Sequence, residues 1–202
     1  MRLGFVGAQR VGKTTLGEAS AEKTGLAFQP TTTKQVFDRI GRDPKIHYPI
    51  QERLTIQYEI FEELNADWER YDNCIFDRTP LDLLAYTEAD VLRDFPNDDI
   101  TVERYMRYRE MCLNATAKFD ALVHIQPGIK LTEARLSAVA NVPYMEHFNS
   151  LVLAYMLGGF VPSSTFTYVM PRALLDLGNR VNTVSGIVSR CRLVKRGRRG
   201  VL

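Results

Sequence analysis

Gly7-Ala8-Gln9-Arg10-Val11-Gly12-Lys13-Thr14 matches the spacing G-x-x-x-x-G-K-[ST], and it follows directly on Leu3 to Val6, an apolar run of the kind that forms a buried strand. The residues behind it, Thr15 to Lys23, suit a helix. Strand, glycine-bearing turn and helix in that order make a phosphate cradle. The glycines let the backbone turn tightly, and successive N–H groups and the start of the helix face anionic oxygens. Gly7, Ala8, Gln9, Arg10, Val11, Gly12, Lys13, Thr14 and Thr15 are therefore the expected nucleotide-binding residues. Lys13 is placed to reach the β- and γ-phosphates of ATP, and the Thr14 hydroxyl to ligate Mg²⁺.

Outward from this loop, apolar runs alternate with helical patterns. Short strands are expected at 2–6, 26–29, 73–76, 121–125 and 165–169, with helices over 13–24, 50–71, 81–94, 100–118, 144–157 and 172–189. The 50–71 segment is amphipathic, with Leu54, Tyr58, Phe61 and Leu64 at three- and four-residue steps. Strands alternating with helices predict an α/β fold of three layers, a mostly parallel central sheet with helices on both faces. In such sheets a ligand sits at the carboxyl ends of the strands. Gly7, Gln29, Asp77, Gln126 and Met170 each follow a strand and are expected to converge there, which singles out Asp77-Arg78. Asp77 suits either of two duties: holding Mg²⁺ through water, or taking a proton from an acceptor hydroxyl. Arg78 suits the transferring group or its acceptor. The bland alternative is that the pair caps the helix beginning near Pro80.

With 202 residues and 45% hydrophobic content, the chain has material for one substantial core. One domain over 1–189 is expected, followed by a basic tail at 190–202 in which Arg190, Arg192, Lys195, Arg196, Arg198 and Arg199 stand without an acid. That tail reads as a solvated terminus, or as a track for a nucleic-acid backbone or an acidic surface. A net charge of +2 excludes a general polyanion binder. Cys74, Cys112 and Cys191 lack ligand spacing and read as reduced thiols of a cytoplasmic protein. His47, His124 and His147 are scattered and suggest no zinc site, and His124 reads as a packed residue with a satisfied ring. No apolar run has the length of a membrane span.

Asn73-Cys-Ile-Phe-Asp77-Arg78-Thr79-Pro80-Leu81-Asp82-Leu83-Leu84-Ala85-Tyr86 resembles the strand and Asp-Arg motif of thymidylate kinases and deoxynucleoside kinases. With the phosphate loop, the resemblance covers roughly the first ninety residues in order, and it implies a P-loop NTPase fold in a kinase. It implies that Arg78 contacts the acceptor's phosphate or 5′ oxygen, and that an arginine-bearing lid lies in Gln126 to Pro143, where Arg135 and Lys130 are the candidates. One departure stands out. Such kinases usually carry a carboxylate just after the second strand, whereas here Gln29-Pro30-Thr31-Thr32-Thr33 brings no acid before Asp38. Either Asp77 is the base or the acceptor is already ionised, as a nucleoside monophosphate is.

The expected activity is transfer of the γ-phosphate of ATP, with Mg²⁺, to a nucleoside or nucleotide; a homodimer is compatible with it. A kinase acting on a hydroxyl in DNA, such as a hydroxymethylated base, is the main alternative. The basic tail and the Arg104, Tyr105, Arg107, Tyr108, Arg109 helix would then meet the backbone, although an apolar stripe that happens to be tyrosine-rich is the stronger reading of that helix. A nucleotide-binding regulatory ATPase comes next. A regulatory GTPase is excluded by the lack of Asn-Lys-x-Asp, and Asp38-Arg-Ile-Gly41 matches a switch spacing by coincidence. Gln57, Tyr58, Phe61, Glu62 and Trp68 are candidates for an acceptor pocket, with plain core packing the stronger reading for the aromatics and Trp68 a packing cover.

Overall fold

The computed structural model describes residues 1–43, 46–91, 98–130 and 142–199. Five strands form the sheet: β1 (Arg2–Val6), β2 (Ala27–Gln29), β3 (Cys74–Phe76), β4 (Ala121–Ile125) and β5 (Phe166–Met170). Their order is β2-β3-β1-β4-β5 and every pairing is parallel. The helices are α1 (Lys13–Thr24), α2 (Thr33–Arg39), α3 (Ile50–Arg70), α4 (Pro80–Val91), α5 (Asp99–Ala115), α6 (Val142–Leu157) and α7 (Leu177–Arg199). A single turn of 3₁₀ helix, Thr116–Lys118, follows α5.

β1 and β4 are buried on both faces, which is why they read as unbroken apolar runs. After β1 the chain moves outward to β2 at one edge. It then returns through β3 and, passing β1, builds β4 and β5 on the other side. With right-handed crossovers this reversal puts α1 and α7 on one face and α3 to α6 on the other. The switch of direction falls between β1 and β3, so the loops after these two strands face each other. This is the three-layer P-loop fold that the sequence predicts.

Close approach is built with glycine. A Cβ on Gly17 of α1 would stand 2.1 Å from the Phe28 ring, and one on Gly4 of β1 would stand 2.6 Å from Thr79 Cγ2. Each would force helix or turn away from the sheet. On the other face Trp68, fully buried, packs edge-on to Phe61 and Phe119 and donates from Nε1 to the Arg78 carbonyl at 3.2 Å.

Two elements differ from expectation. Helix α2 carries too short an apolar pattern to be seen, with Val36 its one buried residue; Asp38 to Gly41 belongs to this helix and its end, not to a strand. Helix α7 does not stop at Ser189 but runs to Arg199. Arg192 Nη2 donates to the Thr24 carbonyl at the end of α1, Lys195 pairs with Asp120 at 2.8 Å, and the Arg190 guanidinium lies 4.6 Å from the Phe166 ring. Among the described residues no helix is long and apolar enough to cross a membrane.

Candidate active site

The loop between β1 and α1 is held from both sides. Gly7 donates its N–H to Asp82 Oδ1 at 2.9 Å, and a Cβ there would lie 2.5 Å from the Ile125 carbonyl oxygen. Gly12 adopts the left-handed conformation (φ 85°) that L side chains avoid. Arg10 takes φ 65° without that licence, a strained backbone of the kind found at functional loops. Behind the loop, Arg180 of α7 is buried and donates from Nη1 to the Val11 carbonyl at 3.2 Å. Ala8 and Val11 point into the core, so the loop presents Gln9, Arg10, Gly12, Lys13, Thr14 and Thr15 to a cleft of about 560 Å³.

Lys13 lies folded into the loop, donating from Nζ to the Gly7 carbonyl at 2.6 Å and the Ala8 carbonyl at 2.8 Å. Burial lowers its pKa to about 8, against the attraction of Asp82 and Asp77. Thr14 donates from Oγ1 to Asp77 Oδ2 at 2.7 Å. The Asp77 backbone N–H donates to the Gln29 carbonyl, fixing the carboxylate at the mouth between β2 and β3. Its other oxygen, Oδ1, is buried without a hydrogen-bond partner.

A hydroxyl and a carboxylate in direct contact, one carboxylate oxygen left over, form an oxygen donor set that fits Mg²⁺. That ion takes one or two carboxylates and completes its shell with phosphate and water. No cluster of three or more potential protein ligands exists among the described residues, and this ion needs none.

Arg78, the next residue after Asp77, lines the same cleft, its guanidinium 4.7 Å from the Tyr86 ring. Its Nε and Nη1 are buried without hydrogen-bond partners, although buried guanidinium donors are normally satisfied. It does not cap α4. The cap is a reciprocal box in which Thr79 N and Oγ1 donate to Asp82 Oδ2 at 2.9 and 2.8 Å and Asp82 N faces Thr79 Oγ1, with Pro80 opening the helix. Asp82 thus binds the first loop glycine with one oxygen and the start of α4 with the other. Burial raises its pKa, while Lys13 and Arg78 hold it down.

The other expected residues divide. Lys130 lines the cleft beside Ile129. Arg135 lies outside the described residues. Gln126 donates to the Met170 carbonyl at 3.0 Å, Met170 is core, and neither lines the cleft. Gln29 lines a smaller chamber next door, with Thr31 and Arg78 shared between the two. Phe61, Tyr105 and Tyr108 are buried, the two tyrosines in α5 packing inward rather than offering a stacking platform. Arg104 bonds back to Gln51 and Thr55, and Arg107 pairs with Glu103. His124 is fully buried as expected, yet neither ring nitrogen has a hydrogen-bond partner; Asn149 faces the ring without reaching bonding geometry.

Sequence reasoning passed over Asp82, Tyr86 and Arg180. The Thr79-Pro80-Leu81-Asp82 spacing is a legible capping box; nothing local marks Arg180, which reaches the loop from α7 at the far end of the chain.

No family model matches this chain, and no curated protein is similar to it in sequence. Its fold is that of the P-loop kinases. Deoxyadenosine kinase from M. mycoides with bound dCTP superposes with a TM-score of 0.67 at 15% identity, over 94% of this chain and 100% of that one. Thymidylate kinase from Candida albicans gives 0.58 at 13% identity, over 95% and 92%. The YorR protein of Bacillus subtilis, in complex with phosphorylated GDP, gives 0.57 at 15%, over 94% and 96%.

Proposed function

We propose that this chain is an ATP-dependent kinase that transfers the γ-phosphate to a nucleoside- or nucleotide-type acceptor. One observation carries the reading: Lys13, the Thr14–Asp77 pair and Arg78, the last with two unsatisfied buried donors, line one cleft. Phosphoryl transfer asks the protein for alignment of donor and acceptor and for positive charge at the equatorial oxygens. The loop amides and Lys13 grip the β- and γ-phosphates. To do so the ammonium exchanges the Gly7 and Ala8 carbonyls for phosphate oxygens, a short swing that needs no change of fold. Thr14 and Asp77 would hold Mg²⁺, which would spread the charge of the triphosphate. Arg78 turns its free N–H groups to the transferring group or the acceptor's phosphate or 5′ oxygen, and the Tyr86 ring holds the guanidinium in place.

The basic end of α7 lies far from this cleft. Arg180 supports the loop, whereas Arg192, Lys195 and Arg196 stand beside Met1 and Asn73 at the opposite edge of the sheet. Fifteen helical residues separate Arg180 from Lys195, roughly 22 Å. That distance favours a small acceptor over a polynucleotide whose backbone contacts come from the tail.

Transfer of labelled γ-phosphate from ATP to a panel of nucleosides, nucleoside monophosphates and DNA, modified and unmodified, tests the reading. Label on a nucleoside or a monophosphate is expected. Label on DNA alone moves the acceptor to the polynucleotide, and ATP hydrolysis with no labelled acceptor makes the chain a nucleotide-binding ATPase.

A further inference from the structure

Two chambers lie side by side at the carboxyl edge of the sheet. The larger is the cleft at the phosphate loop. The smaller, about 10 Å³, is a partly open niche where Gln29, Thr31, Asp67 and Arg78 meet four apolar side chains, Trp68 among them. Thr31 and Arg78 belong to both, so a group that meets the γ-phosphate beside Arg78 stands at the entrance of the smaller chamber. Its volume is about that of one oxygen-sized group, and Asp67 and Arg78 are the charged groups on its walls.

An acceptor hydroxyl must lose a proton as it attacks phosphorus, and a base has to be within hydrogen-bond reach of it or one water away. Among the described residues lining the two chambers there are two carboxylates, Asp77 and Asp67. Asp77 Oδ2 already receives the Thr14 hydroxyl, and the pair is the one suited to Mg²⁺, a duty that draws electron density from both oxygens. Asp67, near the end of α3, is half-buried and is held by Gln29, whose Nε2 donates to Oδ2 at 3.5 Å.

We propose that Asp67 is the general base for a hydroxyl acceptor and that Gln29 is its positioning residue; the proposal rests on the kinase reading above. The hydroxyl proton passes to Asp67, directly or through one water. The acceptor oxygen forms its bond to the γ-phosphorus while the bond from that phosphorus to the β,γ-bridging oxygen breaks, and the electron pair leaves on ADP. The surroundings of Asp67 favour proton uptake, since burial and the neighbouring Glu63 charge raise its pKa, although Gln29 and Arg70 act the other way. This division of labour gives a chain with glutamine at the end of β2 a base without asking it of Asp77.

The test measures label transfer by the wild type, Asp67→Asn and the double variant Gln29→Glu/Asp67→Asn, using a nucleoside and a nucleoside monophosphate as acceptors, with thermal melting and ATP affinity as controls. Asp67→Asn is expected to lower kcat for the nucleoside by about 10²-fold or more and to leave transfer to the already ionised monophosphate within about twofold. The double variant, which moves the carboxylate across the same contact, is expected to recover part of the nucleoside activity. Full nucleoside activity in Asp67→Asn overturns the proposal, as does an equal loss with both acceptors or a wild type that labels only phosphate acceptors. A wild type that labels nothing removes the kinase reading itself and the base with it.

Discussion

The phosphate loop and the surface around Arg78 are built in different ways. The loop is one continuous segment, Gly7 to Thr15, braced by two buried ionic side chains from elsewhere: Asp82 on the Gly7 amide and Arg180 on the Val11 carbonyl. The surface around Arg78 is assembled from the end of β2, the end of α3 and the turn after β3, and its arginine keeps two donors without partners. A triphosphate is the same ligand for every protein that binds it, so its cradle can be a fixed local motif. An acceptor differs from case to case, and the surface that reads it is collected from several elements.

Breaking the phosphate loop gives the largest expected effect. Lys13→Ala removes the loop's own ammonium and is expected to lower transfer by roughly 10³-fold, measured with labelled ATP, while circular dichroism stays native. Transfer at the wild-type rate would detach the loop from the chemistry. Asp82→Ala attacks the brace instead. It strands the Gly7 and Thr79 donors in a buried site, which costs roughly 4 kcal/mol. For a chain of this size that is a fall of roughly 10 °C in melting temperature. A change of a degree or two would show that the loop stands without Asp82.

His124 lies in β4, next to β1, and its pKa is lowered to about 4 by burial first and then by the charges of Lys13 and Arg172. The unfolded chain therefore takes up a proton near pH 6.5, before the folded one does. Stability is unaffected above that pH and is lost as pH falls from about 6.5 to about 4, by roughly 3 kcal/mol in all. Urea unfolding across this window should show that loss, and His124→Leu should flatten it. The same slope in the variant would assign the acid sensitivity to other groups. The smallest effect is expected at the far end of the molecule. Replacing Arg192, Lys195 and Arg196 together with alanine removes partly exposed contacts worth about 1 kcal/mol or less and leaves transfer to small acceptors unchanged. A loss of such transfer would tie the basic end of α7 to the cleft.

What could be read from the chain follows the same division. The loop, its lysine and threonine, and the Asp77-Arg78 pair are contiguous in sequence, and strand periodicity places them at one edge of one sheet. The parallel sheet was legible in the alternation of strands with helices, whereas the strand order β2-β3-β1-β4-β5 was not. Arg180 and Asp67 were not legible: each reaches its place only through tertiary packing, α7 behind the loop and α3 beside Gln29, and neither sits in a pattern that separates it from an ordinary surface charge. Tyr105 and Tyr108 follow the plainer of the two readings their helix allowed, an apolar stripe that happens to be tyrosine-rich. Rings alternating with arginines suggest a binding face, but the rings turn inward and the arginines of that helix pair with neighbours.

The claim beneath the whole account is that Arg78 serves the acceptor while Lys13 serves ATP within one cleft. The direct measurement is the ATP affinity of Arg78→Ala alongside its acceptor-dependent transfer of labelled γ-phosphate. The account predicts ATP binding within about threefold of wild type and a loss of transfer on the order of 10²-fold. Unchanged acceptor-dependent transfer, or a loss explained wholly by weaker ATP binding, would contradict it.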